Sequence, residues 1–316
     1  MIKIAHIGTD PEFVVLDAEG NLASSIDFLP GTKETPFDLG NGTYVQVDNV
    51  MAEFCVPPTN SPKELWDALQ YAKQAALQFL PAGYSFATIA SAVYPDKLLD
   101  NPIAQVFGCE PDFTPYYPKG TLKNNVSNRI TDLFSGSMRV NPKPNCADKN
   151  LRSCGGHIHL DYFDSICIIK DPTTLQRLTS IIILLCDLYL GIPSVLEDPD
   201  TNRRLLYGKP GSHRPKSYGL EYRVLSNYWL ESLDMITAIF ERIKLIEKAL
   251  NSRITSISGG TIYGYNELNS HINSILNKFN INTIEDLDDI IINNNTKVAG
   301  EICSFLEIKP LIKEKV

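Results

Sequence analysis

Two of the chain's five histidines stand at 157 and 159 in the run SCGGHIHLDY, directly after a glycine pair. In an extended strand, residues i and i+2 face the same way. His157, His159 and Asp161 therefore share one side, and Ile158, Leu160 and Tyr162 the other. The alternation recurs elsewhere. DPEF places Asp10 with Glu12, and VMAEFCV places Met51, Glu53 and Cys55 opposite Val50, Ala52, Phe54 and Val56. GLEYRVL aligns Glu221 and Arg223 against Leu220, Tyr222 and Val224, and CEPDF adds Glu110 and Asp112, with Pro111 counting against a strand. Each segment read singly is a half-buried strand with a wet polar side. Taken together, these polar positions are acids, histidines and arginine where a solvated face is usually rich in lysine. Carboxylates gathered away from water repel one another and resist desolvation, so burying them together requires cations. Carboxylate oxygens with an added imidazole suit a hard divalent ion, magnesium or manganese. Zinc on His157 and His159 is the other option, with no HExxH helix behind it.

The opposite charge is supplied by Arg203, Arg204, Lys209, Arg214 and Lys216, with Arg223 close behind. Gly208, Pro210 and Gly211 would let this stretch fold over a ligand, and arginine grips phosphate or carboxylate oxygens in two-pronged fashion. A solvated basic loop is the alternative. Acids, a metal and arginines together describe a phosphoryl-transfer centre. The chain has no GxxxxGK[ST] and no GxGxxG after a strand, which weakens a nucleotide-binding α/β reading.

The elements that must hold these residues follow from local pattern. Strands are expected over 2–7 and 12–17, with a turn at 18–21 and a return strand, then at 44–47 and 50–56. Ser61 is placed to cap a helix with Pro62 at its first position and Glu64 three residues after the cap. Leu65, Trp66, Leu69, Ala72, Ala76 and Leu80 recur at helical spacing up to Pro81 and Gly83. Further strands are expected at 86–92, 152–162 and 218–225, with mostly loop over 94–150. Asp171 and Pro172 open a buried helix reaching about 190, and a loop fills 191–217. A helix spans roughly 229–250. Short helices follow, and then a strand at 304–308. The order predicts an α+β fold, antiparallel strands with helices on one face. Residues 1–250 would form the catalytic domain and 251–316 a C-terminal helical extension packed on it.

With 316 residues, 43% hydrophobic, the chain can bury a large core. A net charge of -8 argues against wrapping nucleic-acid phosphates. The longest strongly apolar run, 181–186, is short of a bilayer span, and MIKIAHIG carries no cleavable apolar segment, so a membrane partner and export are not expected. The seven cysteines include no CxxC pair and fit free thiols in a reducing cytoplasm, with Cys55 and Cys154 structural.

GTDPEF at 8–13, GGHIHL at 155–160 and YGKPGSHRPKSYGLEYRVLSNYW at 207–229 resemble the phage-associated amidoligases called the COOH-NH2 ligase type 2 family. The resemblance implies a curved antiparallel sheet like the catalytic domain of glutamine synthetase, built around ATP and metal. Such enzymes phosphorylate a carboxylate and let an amine displace phosphate, giving an amide, ADP and phosphate. On that pattern Glu12, Glu53 and Glu221 would be metal ligands, with Asp10 close by. Either His157 or His159 would face metal or nucleotide, His157 being favoured for the metal. Arg223 would contact phosphate, and Arg214 the ATP phosphates or the acyl-phosphate.

The resulting expectation is an ATP-dependent carboxylate–amine ligase. Its magnesium (or manganese) ions would be held by Asp10, Glu12, Glu53, Glu110, His157 and Glu221. Arg204, Lys209, Arg214, Arg223 and His159 would contact the nucleotide, and Arg214 and Arg223 would stabilise transferred charge. An acid of the 110–112 loop, with Asp112 the candidate, would accept the proton lost by the amine. If phage-encoded, the protein would work in the host cytoplasm on small-molecule or peptide carboxylates and amines. No ammonia or cysteine pocket is marked by a motif, so substrates and oligomeric state stay open. The rival readings are a metal-dependent amide or ester hydrolase, and a non-catalytic phage structural or interaction protein that retains the fold.

Overall fold

The computed structural model describes residues 1–105, 112–116, 139–140, 148–258 and 261–311. The strands are β1 (His6–Gly8), β2 (Glu12–Leu16), β3 (Leu22–Ala23), β4 (Phe37–Gly40), β5 (Thr43–Asp48), β6 (Met51–Cys55), β7 (Ser85–Ala87) and β8 (Ser91–Val93). They continue with β9 (Phe113–Thr114), β10 (Arg139–Val140), β11 (Leu151–Ser153), β12 (Ile158–Asp161), β13 (His213–Lys216), β14 (Gly219–Tyr222), β15 (Ser256–Ser258) and β16 (Thr261–Tyr263). The helices are α1 (Pro62–Ala76), α2 (Phe163–Ile166), α3 (Pro172–Cys186), α4 (Ile192–Glu197), α5 (Asn202–Leu206), α6 (Leu233–Asn251), α7 (Tyr265–Lys278), α8 (Ile284–Ile291) and α9 (Thr296–Phe305).

Two antiparallel sheets carry the polar residues. One runs β1-β12-β14-β13-β9-β10 and the other β3-β2-β6-β5-β4, with β7 also on β2. They are tied together where β1 passes into β2. Glu12 N–H donates to the Gly155 carbonyl at 2.9 Å, and Phe54 N–H to the Pro11 carbonyl at 2.9 Å. Ile158, Leu160, Leu220 and Tyr222 from one sheet and Phe13, Val15, Ala52 and Phe54 from the other join a single apolar cluster with residues of α1, α3 and α6. The helices thus cover one side, while the other carries the charged residues beside a smaller apolar cluster of Val14, Val50, Met51, Tyr94, Leu99, Ala104 and Cys154. This is the α+β, antiparallel arrangement expected.

Local signals fix the main helices. The Ser61 side chain accepts the Glu64 N–H at the start of α1, whose Leu65, Leu69, Ala72 and Ala76 are buried. Asp171 accepts the Thr174 N–H at 2.8 Å to cap α3, and Ser232 accepts the Met235 N–H to cap α6.

Several expected boundaries move. Residues 2–5 lie outside β1, and the N–H groups of Ile2 and Ile4 are taken by the Asn251 and Glu247 side chains. The strand expected at 86–92 is two pieces, β7 and β8, and the one at 152–162 breaks at the glycine pair into β11 and β12. The helix from Pro172 passes through a π turn at Asp187–Gly191 into α4, so α4, α5 and β13 occupy much of the expected 191–217 loop. Residues Pro172–Glu197 are long and apolar enough to cross a membrane, but 94% of the relevant window is buried inside the protein, as in a core helix. The strand expected at 304–308 is the end of α9, closed by Glu307 at φ 57°. Leu287, Ile291 and Ile302 of the C-terminal helices share the main core. Buried Glu197 of α4 accepts from Arg242 and Tyr228 and, at 2.7 Å, from the N–H of Leu311.

Candidate functional site

The first group gathers on the sheet containing β12, β13 and β14. His159 of β12 and Arg214 of β13 are both register partners of Glu221 on β14, so the three lie in one row across the sheet. Asp10, just before β2, places Oδ1 3.0 Å from His157 Nδ1 and 3.2 Å from His159 Nε2. His157 Nδ1 is also 3.5 Å from Glu221 Oε1. Asp10, His157 and Glu221 each offer a ligand atom within 4.8 Å of the others, a donor set that can hold a hard divalent ion.

Cations surround the same carboxylate. Glu221 is fully buried and meets Arg223, Lys216 Nζ at 2.8 Å and Arg214 Nη1 at 3.4 Å. Arg223 Nε lies 3.8 Å from Asp112 Oδ1, and Ser212 Oγ donates to the other Asp112 oxygen at 3.1 Å. The electrostatic consequence is direct. Burial pushes the Asp10 and Glu221 pKa values up. For Asp10, the charge and hydrogen bonds of His157 and His159 outweigh it, and the acid stays well below its usual range. For Glu221, the charges of His157, Arg223 and Arg214 outweigh it and hold the carboxylate low.

The second group lies on the neighbouring sheet. Glu12 of β2 and Glu53 of β6 are register partners, as are Glu53 and Gln46 of β5. Gln46 Nε2 donates to Glu53 at 2.6 Å, and Gly155 N–H donates to Glu12 at 2.6 Å. Among the described residues, no guanidinium or ammonium forms an ion pair with these acids as Lys216 and Arg223 do with Glu221. Burial, then the charge of Asp48, raises Glu12 to about 7, against the lowering influence of Arg203. Burial, then Asp10, Asp48 and Glu12, drives Glu53 well above the usual carboxylate range. Acids that hold one another protonated become good ligands when a cation relieves their repulsion, so the residues present fit a divalent metal.

The glycine pair makes the junction of the two groups sterically feasible. A Cβ on Gly155 would lie 2.4 Å from His157 Nε2. One on Gly156 would lie 2.4 Å from the Ser226 carbonyl and 2.7 Å from Trp229 Nε1, which donates to the Gly156 carbonyl at 2.9 Å. Any side chain at either position would displace the imidazole or lift the strand from Trp229.

Asp10, Glu12, Glu53, His157, His159, Glu221, Arg214, Arg223 and Asp112 are therefore all on the described polar side or at its edge. Glu110 lies outside the described residues. Arg204 is not brought to the cluster: it is 3% exposed and donates to the carbonyls of Asp200, Ser194 and Asp198 at 2.8–2.9 Å. Its guanidinium clamps the end of α4 to α5. Arg203 likewise holds the carbonyls of Leu225 and Arg223 beneath the site. Lys209 sits in the turn before β13, where its carbonyl accepts the Ser212 N–H. Asp161, on the same side of β12 as the histidines, pairs with His6 at 2.9 Å toward the rim. Cys154 is buried with Sγ 3.2 Å from Met51 Sδ, and burial drives its thiol pKa up. Tyr218, Gln46 and Asp48 are not singled out by the sequence, and Lys216 is marked there only as part of the basic stretch. Its place two residues after Arg214, hence on the same strand side, is the signal for its contact with Glu221. For Asp48, its place two residues after Gln46 and next to the β5–β6 turn carries no chemical signature by itself.

Residues 146–258 match the family described as phage phiEco32-like COOH.NH2 ligase-type 2. The resemblance read from the sequence is thus borne out over a region that holds His157, His159, Arg214, Glu221 and Arg223. Among solved structures, a bifunctional glutathione synthetase from Pasteurella multocida is similar at 12% identity and a TM-score of 0.41, over 96% of this chain and 49% of that one. The chain thus spans about half the length of that protein. No curated protein matches the sequence.

Proposed function

We propose that the protein is an ATP-dependent carboxylate–amine ligase that forms an amide through an acyl-phosphate. The observation that carries this reading is the meeting of buried acids, two histidines and three basic side chains on one polar side, within and beside the region matching a COOH.NH2 ligase family. Asp10, His157 and Glu221, with Glu12 and Glu53 beside them, would hold magnesium or manganese. The bound metal would neutralise phosphate charge and favour transfer of the γ-phosphoryl group to a carboxylate.

The chain's own residues take the remaining roles. Arg214, Lys216 and Arg223 contact Glu221 and so stand beside the Asp10, His157 and Glu221 donor set, a position that supports a role in gripping phosphate oxygens. They would hold the phosphoryl group and balance charge developing on it. Tyr218 O–H, 2.6 Å from His159 Nδ1, fixes that ring against Asp10. Asp112, anchored by Ser212 and facing Arg223, is the acid placed to take a proton from the incoming amine. Such a reaction draws on the ATP of a cytoplasm.

The test is ADP release by the purified protein with ATP, magnesium and mixed carboxylates and amines. Release that requires both organic partners, with amide product detected by mass spectrometry, is the expected result. Cleavage of amides or esters with no nucleotide would move the assignment to a metal-dependent hydrolase. No thermal shift with ATP and magnesium would point to a protein that keeps the fold without the chemistry.

A further inference from the structure

A cavity of about 460 Å³ opens beside the second acid group. Ile26, Leu29, Val47 and Ile103 form its apolar wall, while Lys33 and Asp48 supply opposite charges. Its size is in the range of small-molecule sites, larger than ammonia or methylamine needs. Asp48 lies two residues beyond Gln46 on β5, and Gln46 donates to Glu53. Because i and i+2 share a strand side about 7 Å apart, the Asp48 carboxylate is one step along the row from the proposed metal ligands. Its charge acts on both Glu12 and Glu53.

The occupant is indicated by the protein itself. Lys33 Nζ sits 2.9 Å from Asp48 Oδ1; the lysine side chain is 38% exposed and the aspartate 6%. A primary ammonium on a four-carbon stem therefore already rests on this carboxylate, and it comes from a surface turn closed between Thr32 and Thr35. That turn is anchored by Gly31 at φ 88°, where a Cβ would lie 2.5 Å from the Val45 carbonyl. The anchor fixes that part of the cavity wall, and Lys33 is the more exposed member of the pair.

We propose that this cavity seats the amine substrate of the ligase, a primary alkylammonium of about lysine side-chain length. Its ammonium takes the place of Lys33 Nζ on Asp48, a docking position occupied before the proton transfer assigned to Asp112, and its carbon chain lies against Ile26, Leu29, Val47 and Ile103. The assignment as a substrate site rests on the ligase reading above. Lys33 is then an internal competitor that holds the site until the amine arrives. Each methylene buried against the apolar wall adds roughly fourfold to affinity, so the site selects against ammonia by length as well as charge.

Calorimetric titration of the full chain with ethylamine, propylamine, butylamine and pentylamine tests this without turnover. Affinity should rise by roughly fourfold per methylene. Lys33→Ala should tighten pentylamine binding about fivefold or more by removing the competitor. Asp48→Asn should abolish binding, and Ile103→Trp, which fills the cavity from its exposed side, provides a second block if Asp48→Asn folds poorly. Flat affinity along the series, or tighter binding absent in Lys33→Ala, overturns the proposal. Nα-acetyl-lysine amide, run in parallel, separates the sources: binding tighter than pentylamine assigns the site to a lysine side chain, and weaker binding to a free amine, each supporting the alkylammonium seat. ADP release measured on the same samples keeps the two readings apart. Amine binding with no amine-dependent ADP removes the ligase assignment, whereas amine-dependent ADP without a length preference removes only this pocket.

Discussion

The two acid groups on the polar side are chemically alike and electrostatically opposite. Around Glu221 and Asp10 the protein supplies its own counter-charges, from Arg223, Lys216, Arg214 and the histidines, and both acids are held low. Around Glu12 and Glu53 the neighbours are another acid, a glutamine amide and a backbone N–H, and both acids are pushed up. Hydrogen bonds from neutral donors ease burial of a carboxylate but do not cancel its charge. One half of the site is therefore balanced as it stands, and the other is balanced only with a cation or a proton. The Glu12–Glu53 half therefore has the more to gain from a cation, and it adjoins the Asp10, His157 and Glu221 donor set able to hold one.

Removing one acid from each half should have opposite effects on the metal-free protein, and this is the largest contrast expected. Glu221→Gln removes the buried carboxylate that Arg223, Lys216 and Arg214 share, and breaking a buried pair costs about 3–5 kcal/mol. Glu53→Gln removes a repelling acid and should leave metal-free stability unchanged or raise it by about 1 kcal/mol. Both variants should lose ADP release, by roughly a hundredfold or more. Urea unfolding with EDTA and a coupled ADP assay check the pair. Equal destabilisation by the two substitutions would remove the distinction between the halves.

The next contrast is between pH and magnesium. Glu12 is raised to about 7, so between about pH 4.5 and 7 the folded protein keeps a proton that the unfolded chain has released. The folded state binds more protons over that window, and stability falls as pH rises through it, by up to about 3 kcal/mol for this group. Asp187, raised to about 7 mainly by burial, adds a slope of the same sign. Magnesium should flatten the Glu12 share, because the metal-bound carboxylate no longer needs its proton, and leave the Asp187 share. Urea midpoints at pH 5, 6, 7 and 8, with and without magnesium, measure this. A slope that magnesium does not alter counts against metal at Glu12.

What could be read from the sequence was whatever is written in short periods. Alternation along a strand placed Glu12, Glu53, His157, Glu221 and Arg223 on their polar side, and Ser61 with Pro62 marked the start of α1. What escaped depends on partners distant in the chain. Asp187 looks like the end of an apolar helix, yet it is fully buried and accepts from the hydroxyls of Tyr116 and Tyr222 at 2.7 Å, so the helix continues through it. Arg203 and Arg204 look like ligand contacts in a basic stretch, but carbonyls six to twenty-two residues away along the chain absorb several of their donors. The break in the histidine strand follows from Ser226 and Trp229 packing on Gly156, some seventy residues distant. Residue type identified the chemistry; only packing distinguished a buried clamp from a site.

The smallest effect concerns the histidine that joins the halves. Asp10 Oδ1 lies 3.2 Å from His159 Nε2, and a proton on that nitrogen would face the carboxylate. Nδ1 would then accept from Tyr218 O–H, 2.6 Å off. In that arrangement His159 would orient Asp10, and His157, whose Nδ1 faces both Asp10 and Glu221, would be the imidazole of the metal-binding set. Tyr218→Phe removes one hydrogen bond, worth about 1 kcal/mol, and should lower kcat roughly fivefold while the magnesium-induced rise in Tm persists. His157→Gln should instead suppress that rise. If Tyr218→Phe suppressed it as fully as His157→Gln, the two histidines would share the metal and the division of labour between them would fail.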